Sequence, residues 1–261
     1  MSHHKIYYNE DKNIDNYFKI AHKASTDFKA TKEFFLINDF LEKWNTICEL
    51  WCGEWSKIAS FDSNKFELTW IDISEIAIKY AKKQYPKIDF IVHDVENVSL
   101  KKQYDCTMSY FVLEHIQNPE KYIDKMISMT KSWWNLVLWF PNYWSPLFPS
   151  PPTLYKKNSL EKLIIIFKRI FKIFFDKKYY NSVNPITEVY ECDYDVVSEI
   201  YMWKFRKLLL NKWLKIKYES SCWHNMPKWV IFKLYLPFKY LKNNLFKYRW
   251  PQCFMILEKN F

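Results

Sequence analysis

Apolar positions fall into short runs separated by stretches of helical spacing, and this alternation sets the expected architecture. Runs with strand character cover residues 46–50, 67–72, 88–92, 104–109 and 135–140. Between the second and third, Ser74 can cap a helix whose Ala77, Tyr80 and Ala81 point inward, with Pro86 just beyond its end. A helix carrying Ile58, Ala59 and Phe61 inward is expected after Gly53, and Pro119 opens another as its first residue. Upstream, over residues 21–43, Phe34, Phe35, Ile37, Phe40 and Leu41 recur at helical spacing and predict a helix covering one sheet edge. Strands that alternate with helices predict an α/β fold with a doubly wound, mainly parallel sheet. Residues 214–220 and 253–258 supply its sixth and seventh strands.

The alternation breaks after strand five. Residues 144–152 hold four prolines, which marks a loop opening an insertion. Residues 159–175 follow as an apolar and basic helix, with Leu163, Phe167, Phe171 and Phe174 on one face and Lys168, Arg169 and Lys172 away from it. Such a helix can pack into the insertion or lie at a membrane interface as a lid. The width of its apolar face favours packing. A further helix is expected over residues 196–211.

Composition changes the picture at one point. The chain of 261 residues has one glycine and thirteen tryptophans, where average usage gives about eighteen glycines. That glycine, Gly53, lies in Thr46-Ile47-Cys48-Glu49-Leu50-Trp51-Cys52-Gly53-Glu54-Trp55, a strand running into a turn. A second strand ends on Asp72 about twenty residues later. Strand, turn, helix, strand and acid form the grammar of a nucleotide-binding βαβ unit, except that its turn should be glycine-rich.

With Trp51 and Trp55 read as glycine, the stretch becomes E-L-G-C-G-E-G. It then resembles motif I of the class I S-adenosylmethionine-dependent methyltransferases. Lys131-Ser132-Trp133-Trp134-Asn135-Leu136-Val137-Leu138 likewise resembles that family's approach to its fifth strand. Trp44, Trp70, Trp139, Trp144, Trp213 and Trp250 also stand where family members often carry small residues. This is the pattern expected if UGA codons that specify glycine are rendered as tryptophan.

The resemblance implies a Rossmann-like methyltransferase fold, S-adenosyl-L-methionine as cofactor, and a set of site residues. Glu49 and the turn bearing Trp51, Gly53 and Trp55 would cradle the methionine part. Asp72, followed by Ile73, would accept hydrogen bonds from the ribose hydroxyls. Asp94 and Val95 would read the adenine edge, while Ser109 and Phe111 would line the site. The segment Val112-Leu113-Glu114-His115, continuing to Asn118-Pro119, resembles small-molecule methyltransferases, including the ubiquinone- and menaquinone-biosynthesis group. His115 is the candidate general base, with Asp195, His224 and Tyr143 as weaker candidates. On this reading residues 1–45 form an arm and covering helix, 46–143 the cofactor-binding core, 144–195 the insertion or substrate lid, and 196–261 a helix and the last two strands.

The expected function is methyl transfer to a small-molecule acceptor, lipid- or glycan-linked acceptors included. The net charge of +10 keeps two anionic partners open, a membrane surface and RNA. The Asn/Asp-Pro-Pro-Tyr signature of many amino-directed nucleic-acid methyltransferases is absent after strand four, which weighs against a nucleobase acceptor. A non-catalytic protein of the same fold is the alternative if the tryptophans are real, since indoles would fill the space the cofactor needs. The six cysteines form no C-x-x-C pair, so neither a metal site nor a disulfide framework is expected. A polar N-terminus and the lack of an apolar run near eighteen residues predict a cytoplasmic protein with, at most, peripheral membrane contact.

Overall fold

The computed structural model describes residues 28–42, 45–50, 57–94, 101–145, 148–175, 178–186, 188, 193–222 and 252–260. The expectations for the arm 1–27, the turn bearing Trp51, Gly53 and Trp55, and Trp44, Val95, His224 and Trp250 fall outside these residues.

Seven strands form one sheet in the order β3-β2-β1-β4-β5-β9-β8. They are β1 (Thr46–Leu50), β2 (Glu67–Asp72), β3 (Asp89–Val92), β4 (Tyr104–Tyr110), β5 (Thr130–Pro141), β8 (Leu214–Cys222) and β9 (Gln252–Lys259). A separate antiparallel ribbon pairs β6 (Tyr180–Ser182) with β7 (Ser198–Ile200). β1 pairs in parallel with both β2 and β4, and β2 with β3. Every residue of β4 is buried, as is all of β2 after Glu67. Burial on both faces is what a parallel sheet covered by helices requires. The expected α/β architecture with a seven-stranded sheet is the one observed.

The helices are α1 (Lys32–Asp39), α2 (Glu75–Gln84), α3 (Pro119–Met129), the short α4 (Pro151–Leu154), α5 (Ser159–Phe175) and α6 (Met202–Asn211). Ser74 caps α2 by accepting from the Ala77 amide at 3.2 Å, and Thr31 caps α1 by accepting from Phe34. The buried face of α2 is Ala77, Ile78 and Ala81, with Tyr80 exposed. That stripe is rotated toward Ile78 from the expected one, because the β-branched side chain takes the inward place. α1 begins only at Lys32, where Thr31 satisfies its first amides. It buries Ile37, with Leu41 buried just beyond its end, but leaves Phe35 exposed. After the Gly53 turn the described residues form one 3₁₀ turn (Ile58–Ser60) rather than a full helix.

Contacts gather the chain into two compact units. One comprises residues 1–112, 120–138 and 256–261. Here Asp105, at the amino end of β4, accepts from the Thr46 amide, the Thr46 hydroxyl and Lys131, each at 2.8 Å. Burial alone would raise its pKa, but these bonds outweigh burial and hold the carboxylate below its ordinary range. Buried Lys259 donates to the carbonyls of Ile127 and Thr130, closing the end of α3.

The other unit comprises residues 113–119 and 139–255. The expected helix over 196–211 is divided: β7 comes first, and α6 starts at Met202. Val197 donates to the Glu114 carbonyl and Ser198 to the Ile116 carbonyl, so extended pairing takes these residues before a helix can form. The Met202 amide is capped by the Asn142 side chain at 3.0 Å. Around buried Glu199, one oxygen accepts from the Ser150 amide and the hydroxyls of Ser150 and Thr153, and the other from Arg169 and Asn181.

Candidate active site

Strand ends carry the first group of candidates, all in the first unit. Glu49 is the penultimate residue of β1 and is fully buried. Asp72 closes β2, and Asp94 stands just past the end of β3. Because these strands are parallel neighbours, three carboxylates sit along one carboxyl edge. Open α/β sheets bind ligands at that edge. The geometry of Asp72 is fixed locally. Its Oδ1 accepts from the Ser74 amide at 2.8 Å, and its carbonyl accepts from the His93 amide at 2.8 Å. Ile73, between Asp72 and Ser74, is buried.

β4 contributes the next pair. Ser109 is buried and accepts from the Tyr122 hydroxyl at 3.0 Å. Phe111 follows the strand with φ of 54°, a left-handed backbone that an aromatic residue adopts at a steric cost. Lys57 lies over its ring, 4.8 Å from the centroid. Sequence reasoning passed over Lys57, which no motif marks.

The second unit holds an acid–base cluster in which Glu114 and Asp195 are buried and His115 and Asp193 half-buried. His115 sits on a 3₁₀ turn (Leu113–His115), anchored by the bonds from Val197 and Ser198 to the backbone around it. Its Nδ1 is 3.3 Å from Asp195, and its Nε2 is 3.9 Å from Glu114. Burial pushes the imidazole pKa down, but Asp195, then Glu114 and Asp193, outweigh burial and hold it above the ordinary histidine value. Glu114 is pushed up to about 8, first by burial. Neither of its carboxyl oxygens has a hydrogen-bond partner among the described residues. The Tyr143 hydroxyl donates to Asp193, whose backbone also has positive φ.

Of the weaker candidates, Asp195 and Tyr143 thus join His115 in one cluster. Glu114 and Asp193 are the members that sequence reasoning missed. Glu114 was legible as the neighbour of His115, whereas nothing local singles out Asp193. Glu114, His115 and Asp193 each bring one donor atom within 4.8 Å of the others. That spacing suits shared protons and would also admit a cation.

Residues 49–132 match the family described as a methyltransferase domain. The 235L protein of Invertebrate iridescent virus 6, a candidate methyltransferase by its name, is 31% identical over 116 residues. That alignment spans 43% of this chain and 43% of the viral protein. An S-adenosylmethionine-dependent methyltransferase candidate from Listeria monocytogenes has a similar structure, with a TM-score of 0.55 and 16% identity. It covers 88% of this chain and 98% of its own. The plantazolicin methyltransferase BpumL, solved with SAH, has a TM-score of 0.50 and 15% identity over 97% of this chain and 100% of its own. At these identities the structural likeness is one of fold.

Residues 49–132 thus match a methyltransferase domain, and the fold is one shared with S-adenosylmethionine-dependent methyltransferases, whose cofactor is S-adenosylmethionine. The residues at the carboxyl edge fit such a group chemically. Carboxylates at the ends of adjacent strands offer acceptors for two vicinal hydroxyls and an exocyclic amine.

Proposed function

We propose that the protein transfers a methyl group from S-adenosylmethionine to a small-molecule acceptor. The observation that carries this reading is the row of Glu49, Asp72 and Asp94 along one edge of three adjacent parallel strands. Asp72, oriented by the Ser74 amide, accepts from the ribose hydroxyls. Asp94 would take the adenine amine, and Glu49 would hold the amino-acid end. Ser109 and Phe111 border the same edge at the end of β4.

When bound, the cofactor supplies a methyl group on a sulfonium, which is electrophilic without further activation. Alignment is then the main task of the chain, and an acceptor hydroxyl also needs a base. His115 would be the group to take up the proton that such a hydroxyl releases. Asp195 holds the imidazole by Nδ1 and stabilises the imidazolium that results. Because Asp195, Glu114 and Asp193 hold its pKa above the ordinary value against burial, His115 becomes a base at a higher pH than an ordinary histidine does.

Calorimetric titration with S-adenosylmethionine tests the cofactor assignment. Asp72→Ala should weaken binding by about 1.5–3 kcal/mol, the range for a hydrogen bond to a charged group. Equal affinity in the variant, at an unchanged melting temperature, would remove Asp72 from the site.

A further inference from the structure

Helix α5 turns Arg169 inward and its apolar stripe outward. The Arg169 guanidinium is buried, donating to Glu199 at 2.8 Å and to the Tyr143 carbonyl. Lys204, from α6, reaches the Lys172 carbonyl on the same inner side. Leu160, Leu163, Ile164, Phe167, Phe171 and Phe175 are all exposed, from 43% at Ile164 to 70% at Phe175. The Phe171 and Phe175 rings lie against each other, 4.4 Å between centroids. The expectation that this face forms core is therefore wrong. Periodicity identified the stripe correctly, but the Arg169–Glu199 pair decides which side of the helix turns in.

Burying such side chains is favourable, so six left outside on one helix represent a large forgone gain. Contiguous exposed apolar surface of this kind marks an interaction site. From Leu160 to Phe175 the stripe runs for about 22 Å at the helical rise. Lys156, Lys157, Lys162, Lys168, Lys172 and Lys178 are exposed within or beside the helix. Its one acid, Glu161, is engaged by Lys157 and the Asn158 amide.

We propose that α5 is an interfacial helix that seats the protein on an anionic lipid surface. Charge selects this occupant. Apposing the stripes of two copies would set lysine flanks against one another, whereas lipid phosphates complement them. Phenylalanines and leucines enter the acyl boundary while the lysines remain at headgroup level. Among the described residues no helix is long and apolar enough to cross a membrane, so α5 lies on the surface. This inference is independent of the methyl-transfer reading, and its readout is binding alone.

The test is flotation of the full chain with phosphatidylcholine vesicles, with and without phosphatidylglycerol. The wild type should float with anionic vesicles, at least about tenfold less with neutral ones, and be released by high salt. Phe167→Ser combined with Phe171→Ser should abolish flotation without lowering the melting temperature, because both rings are already in water. Lys168→Glu combined with Lys172→Glu should abolish the preference for anionic lipid. Wild-type protein that stays in solution with anionic vesicles at low salt overturns the proposal. So does a concentration-dependent dimer that the phenylalanine variant dissociates, since the stripe would then belong to a second copy.

Discussion

His115 and Asp195 meet at 3.3 Å through Nδ1, on a turn and a strand lead-in joined by the Val197 amide donating to the Glu114 carbonyl. The carboxylate fixes the ring and raises its proton affinity against the opposing effect of burial. Asp195→Asn should therefore move the imidazole pKa down, and it should move the acid limb of any methyl-transfer pH profile in the same direction. The shift can be read without an acceptor by following the His115 ring proton resonances against pH. An unchanged titration would mean that Asp195 does not tune the histidine.

Glu114 makes the folded state sensitive to pH. Its pKa is near 8 in the fold, against about 4.3 in an unfolded chain. Between those values the native state holds a proton that the unfolded state has lost, so stability falls as pH rises through that window. His115 acts in the same direction, since its raised pKa favours the fold at low pH and that contribution is lost as pH rises through the folded value. Thermal midpoints should decline from about pH 5 to pH 9. Glu114→Gln, which keeps the shape of the protonated acid, should flatten the decline and raise the midpoint at the alkaline end.

Much of this was legible in the chain. Parallel strands buried on both faces read as apolar runs, and the caps at Ser74 and Pro119 are set by local chemistry. Asp72 and Asp94 could be placed because strand ends follow from where those runs stop. Tertiary decisions were not legible. Whether residues 198–200 extend or coil depends on Tyr180–Ser182, a partner well away in the sequence. β5 begins at Thr130 rather than at 135, through Thr130, Lys131 and Ser132, whose polar side chains interrupt any apolar run. A helical stripe indicates a face without saying what covers it, and in α5 the answer is set by Glu199.

The Arg169–Glu199 pair gives a stability prediction of its own. Arg169→Ala would leave a buried carboxylate that keeps only hydroxyl and amide donors, at a cost of about 3–5 kcal/mol. Adding Glu199→Gln to it should recover part of the loss, because the uncompensated charge disappears. Urea denaturation of the single and double variants measures both steps. Additive losses would show that the two side chains are not coupled.

Trp133 and Trp213 test the reading of tryptophans as glycine positions. Both were placed among those positions from sequence, and both have left-handed backbone, with φ of 67° and 61°. Their indoles are largely in water, at 68% and 77% exposure, so little packing offsets the backbone cost. A residue with a Cβ pays about 1–2 kcal/mol in that region, which glycine avoids. Trp133→Gly and Trp213→Gly should each stabilise the protein by about 1 kcal/mol in urea denaturation. Trp134→Gly is the control. Trp134 has no left-handed backbone, so glycine there should destabilise by about 0.5–1 kcal/mol, the usual cost in a strand interior. Trp70 adds a separate strain, since its indole N–H is buried on β2 with no hydrogen-bond partner among the described residues. In protein isolated from the organism that encodes it, each position that carries glycine should lower the intact mass by about 129 Da. Destabilisation at Trp133 and Trp213 together with the full tryptophan mass would establish the indoles as native.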